Sequence, residues 1–278
     1  LVLALVSLPL LKWIALITEW VMSDRSGAKD KVLQTSALDT STLDQPSLAL
    51  TCVTREVLKM GEETETALRS VIALFDDWDD ETAEAIGNST VRVQELHEGI
   101  KRFLAQLDHK QLDKSEKQRS SELANIAYSV ETAADAVGTS LVDLARQLHA
   151  GQLMFSDDGL SDIQNFHERV LGNVQLALSV LMNGAPDAAR QLFRAKEKVY
   201  KAERKLQEKH LARLRAGNNE SFETSRLHQE CLRILKYVNS SFATFGYSIA
   251  TRSGDLLSTR LSKKIKPKSK DGQKKRSK

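Results

Sequence analysis

Apolar side chains recur every three or four residues through most of the chain between residues 46 and 249. This spacing is typical of an amphipathic α-helix, which turns one apolar face toward its neighbours. The pattern predicts six long helices. The clearest apolar face, on the third predicted helix, consists of Leu123, Ile126, Val130, Ala134, Val137, Leu141, Leu144 and Leu148.

Short polar segments separate the predicted helices. Asp44 and Pro46 supply a candidate capping carboxylate and a proline suited to a first helical turn, so the first helix is expected to begin there. Residues 155–159 (FSDDG) divide three helices from three more, and residues 183–186 (NGAP) reverse the chain inside the second set. The sequence therefore predicts an all-α fold, either as two three-helix bundles or as one elongated bundle.

The first 22 residues differ from the rest of the chain. Residues 1–11 are apolar but too few to cross a bilayer core, which takes about 20 residues. Residues 12–22 hold two tryptophans and two charged residues, as interfacial helices do. We interpret residues 1–22 as the end of a truncated transmembrane segment followed by an interfacial helix. The alternative is a buried amphipathic helix of a soluble protein. The expected membrane-contact residues are Leu8, Leu11, Trp13 and Trp20.

Charge is unevenly distributed along the chain. The net charge is +3, and residues 260–278 carry +9, which leaves −6 for the remainder. An acidic body is not typical of a nucleic-acid-binding domain, so we expect no nucleic acid partner. Residues 23–45 are interpreted as a linker, residues 46–258 as the helical domain and residues 259–278 as a basic disordered tail. Such a tail is either simply solvated or attracted to anionic lipid heads, and the positive-inside rule favours a cytoplasmic location for residues 23–278 at the inner membrane.

The residues that carry enzyme chemistry are not arranged in any familiar motif. The sequence has no Gly-x-Ser-x-Gly, no glycine-rich phosphate loop and no His-Glu-x-x-His, and none of its six histidines follows a glutamate by three residues. Cys52 and Cys231 are far apart, which argues against a disulfide framework. His210, one turn after Leu206, is expected to be a core histidine rather than a ligand. These observations predict that the chain is not an enzyme.

Paired carboxylates are the remaining candidates for a site. Glu131 and Asp135 are four residues apart, so both side chains leave the same face of a helix. Opposite a further acid, such a pair could hold a hard divalent cation, although a pair of this kind can equally be a solvated helix face. Glu56 and Glu62 are further acids on the first predicted helix.

Several stretches resemble a known family. Residues 43–50 (LDQPSLAL) and 55–62 (REVLKMGE) resemble the link between the membrane domain and the PhoU-like domain of bacterial sodium/phosphate cotransporters. Residues 125–135 (NIAYSVETAAD) are similar to the PhoU helix that bears a Glu-x-x-x-Asp signature. Residues 210–214 (HLARL), 225–228 (SRLH) and 235–240 (LKYVNS) are similar to the end of that domain. The resemblance extends over most of the chain.

The resemblance implies a PhoU-like antiparallel helical domain that regulates sodium:phosphate symport and phosphate homeostasis from the cytoplasmic side. It also implies a divalent or iron-type metal ion on the acidic helix face. Glu131 and Asp135 match the signature, and Glu230 keeps an acid near the end. Thr90, Gln94 and Ile234 stand where other acids of the family would fall, which argues against a multinuclear cluster.

Three hypotheses follow from these features. The first is the regulatory domain of a phosphate transporter, whose partners would be the membrane, the transmembrane domain of the same protein, and a signalling protein or a second copy. The second is a membrane-anchored helical scaffold or signalling protein without a transport role. The third is a metal-dependent helical enzyme, which the absence of Glu-x-x-His pairs makes the weakest.

Overall fold

The helices follow one another along the chain with short connections. The computed structural model describes residues 36–108, 110–247, 249, 256–257 and 260–261. The α-helices are α1 (Pro46–Val71), α2 (Asp80–Gln106), α3 (Lys114–Asp135), α4 (Val142–Ala150), α5 (Asp157–Asn183), α6 (Pro186–Arg215), α7 (Asn219–Glu223) and α8 (Ser225–Phe242). A π-helix, Ala136–Leu141, joins α3 to α4, and 3-10 turns lie at Thr40–Thr42, Ile72–Phe75 and Ala243–Gly246. Leu256–Leu257 and Arg260–Leu261 form a short antiparallel strand pair.

Local sequence signals account for several of the helix starts and for the end of α5. Pro46 occupies the first turn of α1 as predicted, but the expectation that Asp44 caps this helix is wrong, because Gln45 is the capping residue and its side chain makes no cap hydrogen bond. Asp113 and Glu116 form a reciprocal capping box at the start of α3. The α5 helix ends at Gly184, whose φ of 63° suits a residue without a β-carbon.

The helices pack as two sets of three. In the first set α1 contacts α2 and α3, and in the second set α5 contacts α6 and α8. The two sets join through contacts of α1 with α5 and of α3 with α8, so their apolar faces form one core. His167 of α5 adds a polar link, because its Nε2 lies 2.6 Å from the carbonyl oxygen of Leu68 in α1. The predicted all-α fold with two sets of three helices is confirmed, in the form of one joined bundle.

The apolar face of α6 departs from the prediction in its second half. The spacing of apolar residues in the fifth predicted helix places Leu206 and Leu214 in the core, but both are only half-buried, whereas Glu203 and His210 are buried. The Lys236 Nζ donates to Oε1 of Glu203 over 2.8 Å, and a 2.8 Å hydrogen bond joins His210 to Ser225. Part of the contact between α6 and α8 is therefore polar, which periodicity of apolar residues does not reveal.

The ends of the chain bear on the membrane predictions. Leu8, Leu11, Trp13 and Trp20 lie outside the described residues, as does the whole predicted segment 1–22. Among the described residues, no helix combines the length and apolar character required for a bilayer crossing. The strand Arg260–Leu261 lies within the predicted disordered tail, so the chain pairs with itself at this point.

Candidate functional site

The Glu131–Asp135 pair lines an open cleft of about 440 Å³ between three helices. The α3 helix and the π-helix provide one wall, α2 contributes Gln94, and α8 provides the opposite wall. The prediction that both carboxylates share one face is confirmed by their common position in this cleft. Its lining consists of Gln94, Tyr128, Glu131, Thr132, Asp135, Ala136, Ser140, Arg233, Ile234 and Tyr237.

Glu131 faces a histidine of the neighbouring helix. Its Oε2 lies 3.8 Å from Nδ1 of His97, and the imidazole also lies against the Tyr128 ring with centroids 6.4 Å apart. Burial lowers the pKa of His97, and the charge of Glu131 opposes that change. The Glu131 carboxylate therefore already has a partner in His97. Its negative charge makes it easier for His97 to bind a proton.

Asp135 lies where the helix changes its hydrogen-bonding pattern. Its Oδ1 accepts a hydrogen bond of 3.1 Å from the Thr139 hydroxyl in the π-helix. Gly138 in this segment allows α2 to approach closely, because a β-carbon there would stand 1.9 Å from Oγ1 of Thr90. That hydroxyl lies 3.1 Å from the carbonyl oxygen of Ile86. Thr90 is thus packed into a helix contact and is not available to the cleft.

A guanidinium group from α8 enters the same cleft. Nε of Arg233 donates to Oε2 of Glu230 over 2.8 Å, and Nη2 donates to the other oxygen. This bidentate contact lowers the pKa of Glu230 and raises that of Arg233. Glu230 is therefore engaged by an arginine and is not among the residues that line the cleft.

The two acids of α1 lie elsewhere. Glu56 is 1% exposed, and its carboxylate accepts hydrogen bonds of 2.9 Å each from the Ser36 hydroxyl and the Ala37 amide. It contributes to a neighbouring cleft of about 710 Å³, which also includes Ser36 and Gln94. Glu62 is exposed on the surface of α1. The buried carboxylate of Glu56 thus anchors the segment that precedes the first helix.

The cleft does not fit a multinuclear metal centre. Its carboxylates are the two predicted ones, Thr90 and Ile234 cannot supply the missing oxygens, and Arg233 brings a positive charge that disfavours a cation. Within the described parts of the chain, no three side chains of histidine, cysteine, aspartate or glutamate come together as a metal site. A single cation held by Glu131 and Asp135 stays a prediction, and Glu56, Glu62 and Glu230 do not join them.

A second polar cluster is buried where α5, α6 and α8 meet. Asp162 accepts hydrogen bonds from Lys209 (2.8 Å) and from Arg213 (2.7 Å). Burial favours the neutral acid, but the hydrogen bonds and charges of the two cations outweigh it, so the pKa of Asp162 is lowered. A buried charge held in this way ties α5 to α6, and removing one partner would leave the other uncompensated.

Two stacked histidines complete this buried cluster. The rings of His210 and His228 lie 4.7 Å apart and nearly parallel, at 10°. Nη2 of Arg213 lies 3.4 Å from Nε2 of His228, in position to donate to a neutral imidazole. Burial, reinforced by His210 and Arg213, lowers the pKa of His228 to about 4, and burial together with Arg213 also lowers that of His210. The location of His210, 2% exposed, agrees with the predicted core histidine.

Sequence reasoning missed the cations that shape these surfaces. Arg233 was not singled out, although its position three residues after Glu230 indicates a pair on one helix face. The apolar face of α6 gives no indication of its charge, yet this helix holds ten Lys or Arg residues against four Asp or Glu residues. Counting charge helix by helix would have revealed a basic helix inside a body that is acidic as a whole.

The fold and cleft define the class of structure. Residues 57–138, which include the second half of α1 and all of α2 and α3, match the model of the PhoU domain. The crystal structure of PhoU from Pseudomonas aeruginosa superposes with a TM-score of 0.67 at 15% identity, covering 73% of this chain and 97% of that one. The crystal structure of the phosphate transport system regulatory protein PhoU from Streptococcus pneumoniae superposes with a TM-score of 0.66, also at 15% identity. This match covers 77% of this chain and 100% of that one. The chain therefore has a PhoU-like fold.

Curated relatives are longer than this chain. One from Salmonella typhimurium, named "Putative inorganic phosphate export protein YjbB", is 31% identical over 220 residues, which is 79% of this chain and 40% of the relative. The protein of the same name from Escherichia coli K12 is 30% identical over 249 residues, which is 90% of this chain and 46% of the relative. The chain thus spans less than half the length of these relatives.

Proposed function

We propose that this chain is the cytoplasmic regulatory domain of a membrane protein that moves inorganic phosphate and takes part in phosphate homeostasis. The observation that carries the proposal is 30% identity over 90% of this chain to a relative named for phosphate export. The PhoU-like fold supports a regulatory role, because one neighbour of that fold is named as a phosphate transport system regulatory protein. The transport pathway itself would lie outside this chain.

The finer proposal is sodium-coupled transport across the inner membrane. It rests on the resemblance of residues 43–62 to the link found in sodium/phosphate cotransporters and on the apolar start of the chain. The relatives' name points to export, so the regulated flux is proposed without a fixed direction. The anchored segment at Ser36 and Ala37 supports a mechanical connection between the helical domain and whatever precedes it.

The test is phosphate flux in cells that express the complete parent protein. Uptake and efflux of labelled phosphate are measured with sodium and with potassium as the external cation, for the parent and for a variant lacking residues 46–261. Both proteins are quantified in membrane fractions, so that a change in flux per molecule is compared. We expect phosphate flux in the parent and an altered rate or phosphate response in the variant.

Each outcome bears on a different part of the proposal. Flux that is the same with sodium and potassium would reject the symport mechanism but keep the regulatory role. Identical flux in parent and variant would reject the regulatory role. A parent protein that is present in the membrane and moves no phosphate in either direction would reject the transport function, and the membrane-anchored scaffold would then be the better hypothesis.

A further inference from the structure

A groove between α5 and α6 is lined by cations. Its volume is about 450 Å³, and its lining includes Arg169 from α5 and Arg194 and Lys198 from α6. Gln191 adds an amide, and no carboxylate belongs to the lining. The three cations are exposed, and none makes an ion pair or hydrogen bond with another residue in the described part of the chain. Other exposed cations of α6, such as Arg204 and Lys205, also lack an ion pair among the described residues, but Arg169, Arg194 and Lys198 share one groove.

An exposed glycine of α5, Gly172, lines the groove and leaves open space beside its backbone. A β-carbon added at Gly172 would meet nothing within 4 Å, although the residue lies in the middle of a 27-residue helix. A glycine at such a position costs about 1 kcal/mol of helix stability relative to alanine. Because glycine has no side chain, Gly172 leaves space between Arg169 and the cations of α6. A larger side chain at this position would extend into that space.

The unpaired cations favour an anion of high charge density. Arg194 and Lys198 are one turn apart on α6, where like charges repel each other. Glu197, which directly precedes Lys198 in the sequence, lines a separate cleft with Lys196 and Tyr200 and not this groove. A bound anion would relieve the repulsion, and guanidinium groups match the geometry of phosphate oxygens through paired hydrogen bonds.

We propose that this groove binds a phosphate group, either as free inorganic phosphate or as the headgroup of an anionic phospholipid. The binding itself does not depend on the proposed function, whereas its use as a signal for phosphate flux does. A failure to bind would leave the transport test untouched, and a failure of transport would leave the groove to be tested by itself.

The first experiment fills the groove without disturbing the fold. Isothermal titration of the 278-residue chain with inorganic phosphate is compared with co-sedimentation on phosphatidylcholine vesicles with and without phosphatidic acid. Gly172→Leu should abolish the binding that the wild type shows, while its thermal stability is kept or raised. Gly87→Leu is the matched control, because a β-carbon at this helical glycine of α2 also meets nothing within 4 Å.

The second experiment removes charge. The double variant Arg194→Gln/Lys198→Gln should bind at least about tenfold more weakly, since each charge-assisted hydrogen bond contributes that much or more. Arg204→Gln/Lys205→Gln removes the same charge from α6 outside the groove and should bind as the wild type does.

The two binding assays distinguish the sources of the phosphate group. Binding in titration alone assigns free phosphate, and binding to vesicles alone assigns a lipid headgroup. The proposal is overturned if neither probe binds, or if Gly172→Leu and Gly87→Leu behave alike in both assays. Vesicle binding that all variants share would come from charge elsewhere, such as the basic tail, and would also count against the groove.

Discussion

Protonation of His228 is expected to weaken the fold in mild acid. The ring is 1% exposed and lies against His210, with Arg213 donating to it, so a proton would add a positive charge beside a guanidinium. The pKa falls from an ordinary 6.5 in the unfolded chain to about 4 in the folded one. Between these values the unfolded state binds more protons, so stability present above about pH 6.5 is lost as the pH falls toward 4.

The size of this loss follows from the two pKa values. A difference between 6.5 and about 4 corresponds to about 3 kcal/mol in full, of which about 2 to 3 kcal/mol has been lost by about pH 4.5. Asp162 does not offset this loss. Its pKa is lowered from the ordinary 3.8, so the stability that its ionised form contributes is lost only when the pH falls below about 3.8. The loss is a large part of the stability of a typical domain, which is about 5 to 15 kcal/mol.

The assay is urea unfolding, followed by circular dichroism, at several values from about pH 7.5 to about pH 4.5. His228→Gln keeps a hydrogen-bond acceptor for Arg213 but does not titrate in this range. Between about pH 7.5 and about pH 4.5, the free energy of unfolding should fall in the wild type by about 2 to 3 kcal/mol more than in this variant. His149→Gln, which alters a half-buried histidine outside the cluster, is the control. Parallel curves for wild type and His228→Gln would refute the reasoning.

Three further predictions concern the cleft and its surroundings. Gly138→Ala should destabilise the fold by about 1 to 3 kcal/mol, because its β-carbon would meet Thr90, and adding Thr90→Ala should recover part of that loss in thermal unfolding. Glu131→Gln should lower the pKa of His97 further in a histidine NMR titration, and an unchanged or higher value would contradict their pairing. Glu56→Gln should cost about 1 to 3 kcal/mol and speed proteolysis of the segment before α1, whereas equal cleavage rates would show that another contact holds it.

The apolar periodicity was enough to predict the helices and their pairing into two sets. The faces centred on residues such as Val57, Val93, Val130 and Val238 are fully buried, since a long helix with one apolar stripe has few other ways to shield it. The same reasoning failed in the second half of α6. There, buried Glu203 is held by a lysine from another helix, and contacts between charged groups of different helices leave no regular period in a single sequence.

The candidate site was predictable only in part. The spacing of Glu131 and Asp135 predicted their common face, because helix geometry alone determines it. The partners that define their chemistry come from α2 and α8, which lie far away in sequence, so neither His97 nor Arg233 could be placed opposite them. Glu56 was predicted as a further site acid. Its carboxylate instead accepts hydrogen bonds from the segment that precedes its own helix.

The cleft lies where a change in charge would reach both sets of helices. Its walls come from α3 and α8, which belong to different sets of helices, so a change in charge acts on the contact between the two sets. Gln94 of α2 lines this cleft and also the neighbouring one, which contains Ser36 and the Glu56 carboxylate. The cleft and the anchored segment therefore both border α2 at Gln94, so a displacement of α2 would alter both. The α5–α6 groove lies within the second set alone, so an anion bound there would act on the first set through α5, which contacts α1, or through α8, which contacts α3.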